Sequence, residues 1–282
     1  MTSPPPQTRT ADDEEPEPIM SHLPELPHGT MHFRPLVLCY HAVSVSWMDP
    51  LAVSAVTVER QVRRLIRRGY RPVAAADTLA NDRRTMHVTF DDAYRSIARA
   101  LDALERLRVP VTVFSCTDHA QDGRRLDVPE LRHRAPRESR ELDTMTWDTL
   151  RELADRGVEI GSHTVSHPHL PTLDDAELAS ELRSSRERIE DELQRPCRFL
   201  AYPYGEDDQR VHAAAREAGY SAAFTLSPPD GRTDVFALPR IDIYRGDNAA
   251  RFALKTAPGR RSLVALTHVL RRARRVADRR VG

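Results

Sequence analysis

From about residue 33 the chain alternates between short apolar runs and segments whose apolar positions recur every three or four residues. The runs LVLCYH (36–41), MHVTFDD (86–92), VPVTVFSC (109–116), GVEIGSH (157–163) and CRFLAYPYG (197–205) read as strands, and YSAAFTL (220–226) and FALPRIDIY (236–244) as weaker ones. Helical patterns lie between them. VERQVRRLIRRG (58–69) and DQRVHAAAREAGY (208–220) stop at a glycine, AYRSIARALDALERLR (93–108) stops ahead of Pro110, and TWDTLRELADRG (146–157) starts on a threonine cap. DDAELASELRSSRERIEDELQRP (174–196) carries acid in its first turn and a proline at its end. This alternation predicts an α/β fold with a parallel sheet. Seven or so units predict closure into a distorted (β/α)7-type barrel, a single domain, rather than an open sheet.

Three segments fall outside that rhythm. Residues 1–30 are rich in proline and acid and are expected to be a disordered lead-in, leaving 31–246 as the barrel. Residues 118–145 are polar and follow a strand, which predicts a long surface loop beside the active face. Residues 247–282 form an Arg-rich helical segment with Leu263, Leu266, Leu270 and Ala273 on one side. Such a helix packs its apolar stripe on the barrel, or lies on an anionic membrane surface.

Composition narrows the class. Balanced charge, 42 basic against 42 acidic residues, gives no argument for nucleic acid as a partner. The three cysteines, Cys39, Cys116 and Cys197, lack a CxxC pair, so neither a disulfide framework nor a cysteine zinc site is expected; Cys39 and Cys116 read as small buried hydrophobes. No run reaches about 18 apolar residues and no secretion leader is visible, so a cytoplasmic location is the expectation.

The chemistry collects at the carboxyl ends of the strands, which share one face in parallel α/β folds. His41, Asp91, Asp92, His163, Tyr202 and Tyr204 all end strands, His167 follows His163 by four residues, and Arg240 follows Leu238-Pro239. An adjacent pair of carboxylates costs energy unless a cation sits nearby. The alternative for Asp91-Asp92 is a helix N-cap for the segment that follows. Two imidazoles and a carboxylate are also the three protein ligands of a catalytic zinc-type site that keeps a position open for water. His169 is left as a loop histidine, and His22, His28, His32, His87, His119, His133 and His212 fall in tails, loops or exposed helix positions.

Thr89-Phe90-Asp91-Asp92, Ser162-His163-Thr164-Val165-Ser166-His167 and Phe199-Leu200-Ala201-Tyr202-Pro203-Tyr204-Gly205 resemble, in order, the signatures of the polysaccharide deacetylases. These are the NodB-homology group, carbohydrate esterase family four, and the likeness runs from about Arg34 to Tyr244, with Trp147 included. The resemblance implies a barrel of about seven strands and one divalent ion, Zn2+ first, with Co2+, Ni2+ or Mn2+ as alternatives. It implies Asp91 as general base, Asp92, His163 and His167 as metal ligands, and Tyr202, Pro203 and Tyr204 against the substrate, with a backbone N–H near Tyr204 as oxyanion donor. The expected substrate is an N-acetylated sugar or glycan.

Two departures matter. Where the third signature usually has an arginine, two residues before its Pro-Tyr, this chain has Ala201, and Arg240 is expected to supply the guanidinium. The usual late Leu-x-His acid finds a counterpart in His268, but that residue sits in a helical pattern, and His41 in the first strand is the preferred general acid. The variant third signature, Phe-x-Tyr-Pro-Tyr-Gly, keeps a second reading open: hydrolysis of another C–N bond, in a cyclic imide or ureide. A third reading is an inert carbohydrate-binding relative.

Overall fold

Each apolar run becomes a strand in the computed structural model, which describes residues 35–80, 84–131, 133–136, 139–226 and 234–257. The strands are β1 (Leu36–Tyr40), β2 (Arg71–Pro72), β3 (Thr85–Phe90), β4 (Val111–Ser115), β5 (Glu159–Ser162), β6 (Phe199–Ala201), β7 (Ala222–Thr225), β8 (Leu238–Pro239) and β9 (Ile241–Asp242). The helices are α1 (Ala55–Arg67), α2 (Ala98–Arg106), α3 (Thr117–Ala120), α4 (Trp147–Asp155), α5 (Asp175–Leu193), α6 (Gln209–Glu217) and α7 (Ala249–Lys255). The segment 1–30, His268 and the tail from residue 258 lie outside the described residues.

Every strand pairing is parallel, in the order β8-β7-β6-β5-β4-β3-β1-β9, with β2 added on β3. The two ends of this path, β8 and β9, are separated by one residue, Arg240. The run expected as one strand therefore changes partner at Arg240. On one side the Arg240 N–H donates to the Thr225 carbonyl beside β7, and on the other the Ile243 N–H donates to the Cys39 carbonyl of β1, both at 2.9 Å. Residues 238–242 are the seam that closes an α/β barrel.

Period-two alternation divides the strand side chains between two cores. Leu36, Leu38, Tyr40, Met86, Val88, Phe90, Val111 and Val113 pack outward under the helices. Val37, Phe114, Phe199, Ala201, Ala222 and Phe224 form a smaller inner core. Gly161 is glycine for room: a Cβ there would stand 2.5 Å from the Phe114 ring and 2.9 Å from the Phe199 carbonyl oxygen.

The helices start and stop for local reasons. Ser54, Thr146 and Asp208 cap α1, α4 and α6 by accepting from the backbone N–H three residues on. Asp174 and Glu177 form a capping box at α5, which ends on left-handed Gln194 two residues before Pro196. Segment 118–145 is not a solvated loop. It opens on α3, pairs Arg125 with Asp143 and Tyr94 with Thr144, and buries Leu126, Val128, Leu131, Leu142 and Met145. No helix among the described residues is long and apolar enough to cross a membrane.

The expectation that the remaining histidines lie in loops or on exposed faces needs correcting for three of them, because His87, His119 and His212 are buried. The inward face of a strand looks the same in sequence whether its imidazole is solvated or enclosed. His87 on β3 bridges the Val73 carbonyl oxygen at 2.8 Å and Thr112 Oγ1 at 2.9 Å. Burial lowers its pKa to about 4. The unfolded chain therefore binds the extra proton first, and folded stability falls as pH drops from about 6.5 to 4, by about 3 kcal/mol in all. In a His87→Gln variant this part of the acid slope is expected to vanish from urea-unfolding free energies measured across that window. An unchanged slope would refute the assignment.

Candidate active site and metal centre

Asp91 and Asp92 follow β3, and backbone geometry sends their carboxylates to different partners. The Asp91 N–H continues the ladder, donating to the Tyr40 carbonyl at 2.9 Å. Asp92 and Ala93 then adopt left-handed conformations, φ 67° and 47°. The N-cap alternative does not hold: α2 begins at Ala98, and Ile97 occupies its cap position. Of the eight non-glycine residues with positive φ among the described residues, five (Asp92, Ala93, Thr164, His167, Tyr204) lie in these strand-end turns. Such conformations persist where surrounding contacts over-determine them, and they cluster at functional sites.

Asp92, His163 and His167 are buried and bring one ligand atom each within 4.8 Å of the others. Asp92 Oδ1 stands 3.5 Å from His163 Nε2 and 3.4 Å from His167 Nε2. It has no hydrogen-bond partner among the described residues. Since a carbonyl can only accept, His163 Nδ1 donates to the Ala201 oxygen at 2.7 Å, which leaves the Nε2 lone pair facing Asp92. Burial lowers the His167 pKa to about 4, so its imidazole is neutral near pH 7, the form that binds metal. An orphaned carboxylate oxygen beside two imidazole nitrogens suits a divalent ion of borderline softness.

Asp91 faces the other way, into the barrel. Arg240 Nη1 and Nη2 grip its two oxygens at 2.6 and 2.8 Å, and Nη1 also donates to Thr89 Oγ1 at 3.2 Å. The Cys39 thiol donates to Asp91 Oδ2 at 3.3 Å. Burial alone would raise the Asp91 pKa, but the Arg240 guanidinium outweighs it and holds the carboxyl well below its usual range. The guanidinium lies over the Phe114 ring, its carbon 5.5 Å from the centroid. Arg240 thus gives Asp91 the guanidinium that the third signature, with Ala201, does not carry.

His41 ends β1 with Nδ1 3.8 Å from Asp242 Oδ1. Tyr204, at φ 59°, sets its ring against His167, with centroids 4.5 Å apart. Its hydroxyl donates to Glu130 at 2.9 Å, and His169 stacks on it at 4.0 Å. Tyr202 goes elsewhere: it is buried, donates to the Phe236 carbonyl at 2.9 Å and stacks on His212. Pro203 is buried in the turn between the two tyrosines. Four contributors escaped the sequence reading: Cys39, Asp242, Glu130 and His169. For the first two a signal existed, since Cys39 and His41, like Arg240 and Asp242, stand two apart on one face of a strand.

The family profile described as Polysaccharide deacetylase matches residues 79–223, just over half of the chain. YxkH of Bacillus subtilis (strain 168) is 24% identical over 226 residues, 77% of this chain and 74% of that protein. The chitooligosaccharide deacetylase of Bradyrhizobium sp. (strain ANU 289) is 26% identical over 181 residues, 63% of this chain and 67% of its own. Among solved structures, the Streptococcus pyogenes deacetylase PplD in complex with acetate superposes with a TM-score of 0.68 at 18% identity, over 80% of this chain and all (100%) of that one. BC0361, a polysaccharide deacetylase from Bacillus cereus, gives 0.64 at 23% identity over 80% and 70%. These structures share the barrel, and with the profile spanning the strands that carry both aspartates and both histidines, the chain belongs to the polysaccharide deacetylase family.

Proposed function

We propose that this protein hydrolyses the acetamide of an N-acetylated amino sugar, free or within a glycan, with one divalent ion held by Asp92, His163 and His167. The observation that carries this reading is the buried, unpartnered Asp92 Oδ1 between two imidazole nitrogens, next to a carboxylate clamped by Arg240. When bound, such an ion, Zn2+ in the first instance, supplies Lewis acidity to a carbonyl and lowers the pKa of water.

An amide resists attack, and its amine leaves only when protonated. The residues must therefore take one proton and give another. Asp91 takes the proton of the attacking water; the Arg240 fork keeps it ionised at neutral pH and fixes its plane. That pairing also makes Asp91 a weak base, which would suit a water whose pKa a bound ion lowers. His41 gives the second proton. With Nδ1 turned to Asp242, its Nε2 edge serves the departing nitrogen. The Tyr204 backbone N–H supports the oxyanion, Tyr204 borders the sugar, and the buried Pro203 and Tyr202 anchor the turn from the core.

The relative named chitooligosaccharide deacetylase makes N-acetylglucosamine oligomers the first substrates to try. Acetate release from such oligomers is expected from the metal-loaded protein, lost on chelation and restored by Zn2+, Co2+, Ni2+ or Mn2+. Turnover of a small cyclic imide with no acetate release would replace this reading by the cyclic-amide one. Metal binding without either activity would favour an inert carbohydrate-binding protein.

A further inference from the structure

Behind the proposed acid lies a second group of ligand atoms. Cys39 Sγ, a nitrogen of His41 and a carboxylate oxygen of Asp242 fall within 4.8 Å of one another. In this group His41 Nδ1 and Asp242 Oδ1 face each other at 3.8 Å, too far for a hydrogen bond. Both atoms are buried, and neither has a partner among the described residues. Around a tetrahedral zinc, bond lengths of about 2.0–2.3 Å put neighbouring donor atoms about 3.4–3.6 Å apart. The imidazole and carboxylate need close by only a few tenths of an ångström to share an ion. Among the described residues the surrounding charge favours a cation, because Arg240 is paired with Asp91 and Lys255, on the Asp242 carbonyl oxygen, with Asp247, which leaves the Asp242 carboxylate uncompensated. The thiol donates to Asp91, at the edge of this group.

We propose that Cys39, His41 and Asp242 form an inhibitory site for a thiophilic divalent ion, Zn2+ or Cd2+, distinct from the Asp92 centre. Binding breaks the Cys39 S–H bond and forms a sulfur–metal bond, and the proton leaves to solvent. No oxidant or reductant is involved. Binding also costs the thiol its hydrogen bond to Asp91 at 3.3 Å, so the site fills only when the ion is in excess. Once filled, an ion occupies Nδ1 of His41, and the proton facing Asp242 also leaves to solvent. The ring then holds its Nε2 proton as a neutral imidazole, a far weaker acid than an imidazolium, so His41 no longer delivers a proton to the leaving amine. This inhibition rests on the acid role proposed for His41; the binding site itself does not.

The test titrates metal-free full-length protein with Cd2+ and follows both bound metal and the ultraviolet thiolate-to-cadmium absorption. Wild type is expected to bind two ions and develop the band at the second equivalent. Cys39→Ser is expected to bind one ion and show no band, while Cys116→Ser keeps both. His163→Ala is expected to lose an ion but keep the band, which separates this site from the Asp92 centre. In steady-state assays excess Zn2+ is expected to slow wild type several-fold while leaving Cys39→Ser at its own uninhibited rate. A wild type that binds two ions without a band, or a band that survives Cys39→Ser, overturns the proposal. If Cys39→Ser fails to fold, Asp242→Asn replaces it, with weakened second-ion binding expected and unchanged binding counting against the site.

Discussion

Replacing Asp91 with asparagine is expected to lower kcat by about 10²- to 10⁴-fold, the usual worth of a positioned general base. The amide keeps the volume and one acceptor for Arg240 Nη1, now at 2.6 Å from the carboxylate, but it has no lone pair basic enough to take a proton from water. Metal content is expected to stay at the wild-type level, because the Asp92 centre is built from different atoms. KM is expected to change little. Acetate release and metal analysis on the same preparation check both halves. A rate within tenfold of wild type would remove Asp91 from the mechanism, and loss of the metal would make it a ligand instead.

Arg240→Leu is expected to have the largest effect on stability. Three donor contacts end on Asp91 and Thr89 from a guanidinium with no exposed side-chain surface. Breaking a buried ion pair by removing one member costs about 3–5 kcal/mol, because the other charge is left without compensation. With the guanidinium gone, burial raises the Asp91 pKa, so the carboxyl holds its proton to higher pH and the acid limb of the rate profile moves up. Arg240→Lys keeps the charge but not the fork and is expected to recover part of both losses. The double variant Asp91→Asn/Arg240→Leu is expected to be less destabilised than the two single effects added together, since it leaves neither charge stranded. Urea unfolding measures all five proteins, the wild type and the single Asp91→Asn variant included. A leucine variant within about 1 kcal/mol of wild type would mean that the pair contributes little.

The barrel is readable in the sequence because the strands that build most of it, β1 and β3 to β7, are buried apolar runs and the helices between them carry their own stops and starts, whereas the two-residue β2 has no such signal. The gathering of Asp92, His163 and His167 is readable for a related reason: each lies at or just after a strand end, where a parallel sheet opens on one face. What is hidden is which way a side chain turns once the strand is over. Tyr202 and Tyr204 look equivalent two residues apart, yet the left-handed backbone at Tyr204 lifts one ring to the rim while the other stays in the core. Asp91 and Asp92 are separated by the same device. Cys39 and His87 sit on inward strand positions, where composition alone does not tell an enclosed polar group from a packing one. The partner change at Arg240 is likewise invisible, because a strand that hands over from one neighbour to another keeps a continuous apolar pattern.

That hand-over sets an order on synthesis. Asp92, His163 and His167 span 76 consecutive residues, so their strands can assemble as soon as that stretch has left the ribosome. The clamp on Asp91 comes from a residue 149 positions later, in the segment that also closes the sheet. Chains emerge amino end first, at roughly 5–20 residues per second. For several seconds, then, Asp91 has left the ribosome while Arg240, the guanidinium that lowers its pKa in the finished protein, has not. The carboxylate proposed as proton acceptor is gripped only when the last strand is laid in, and the residue that seals the cylinder is also the one that fixes its plane.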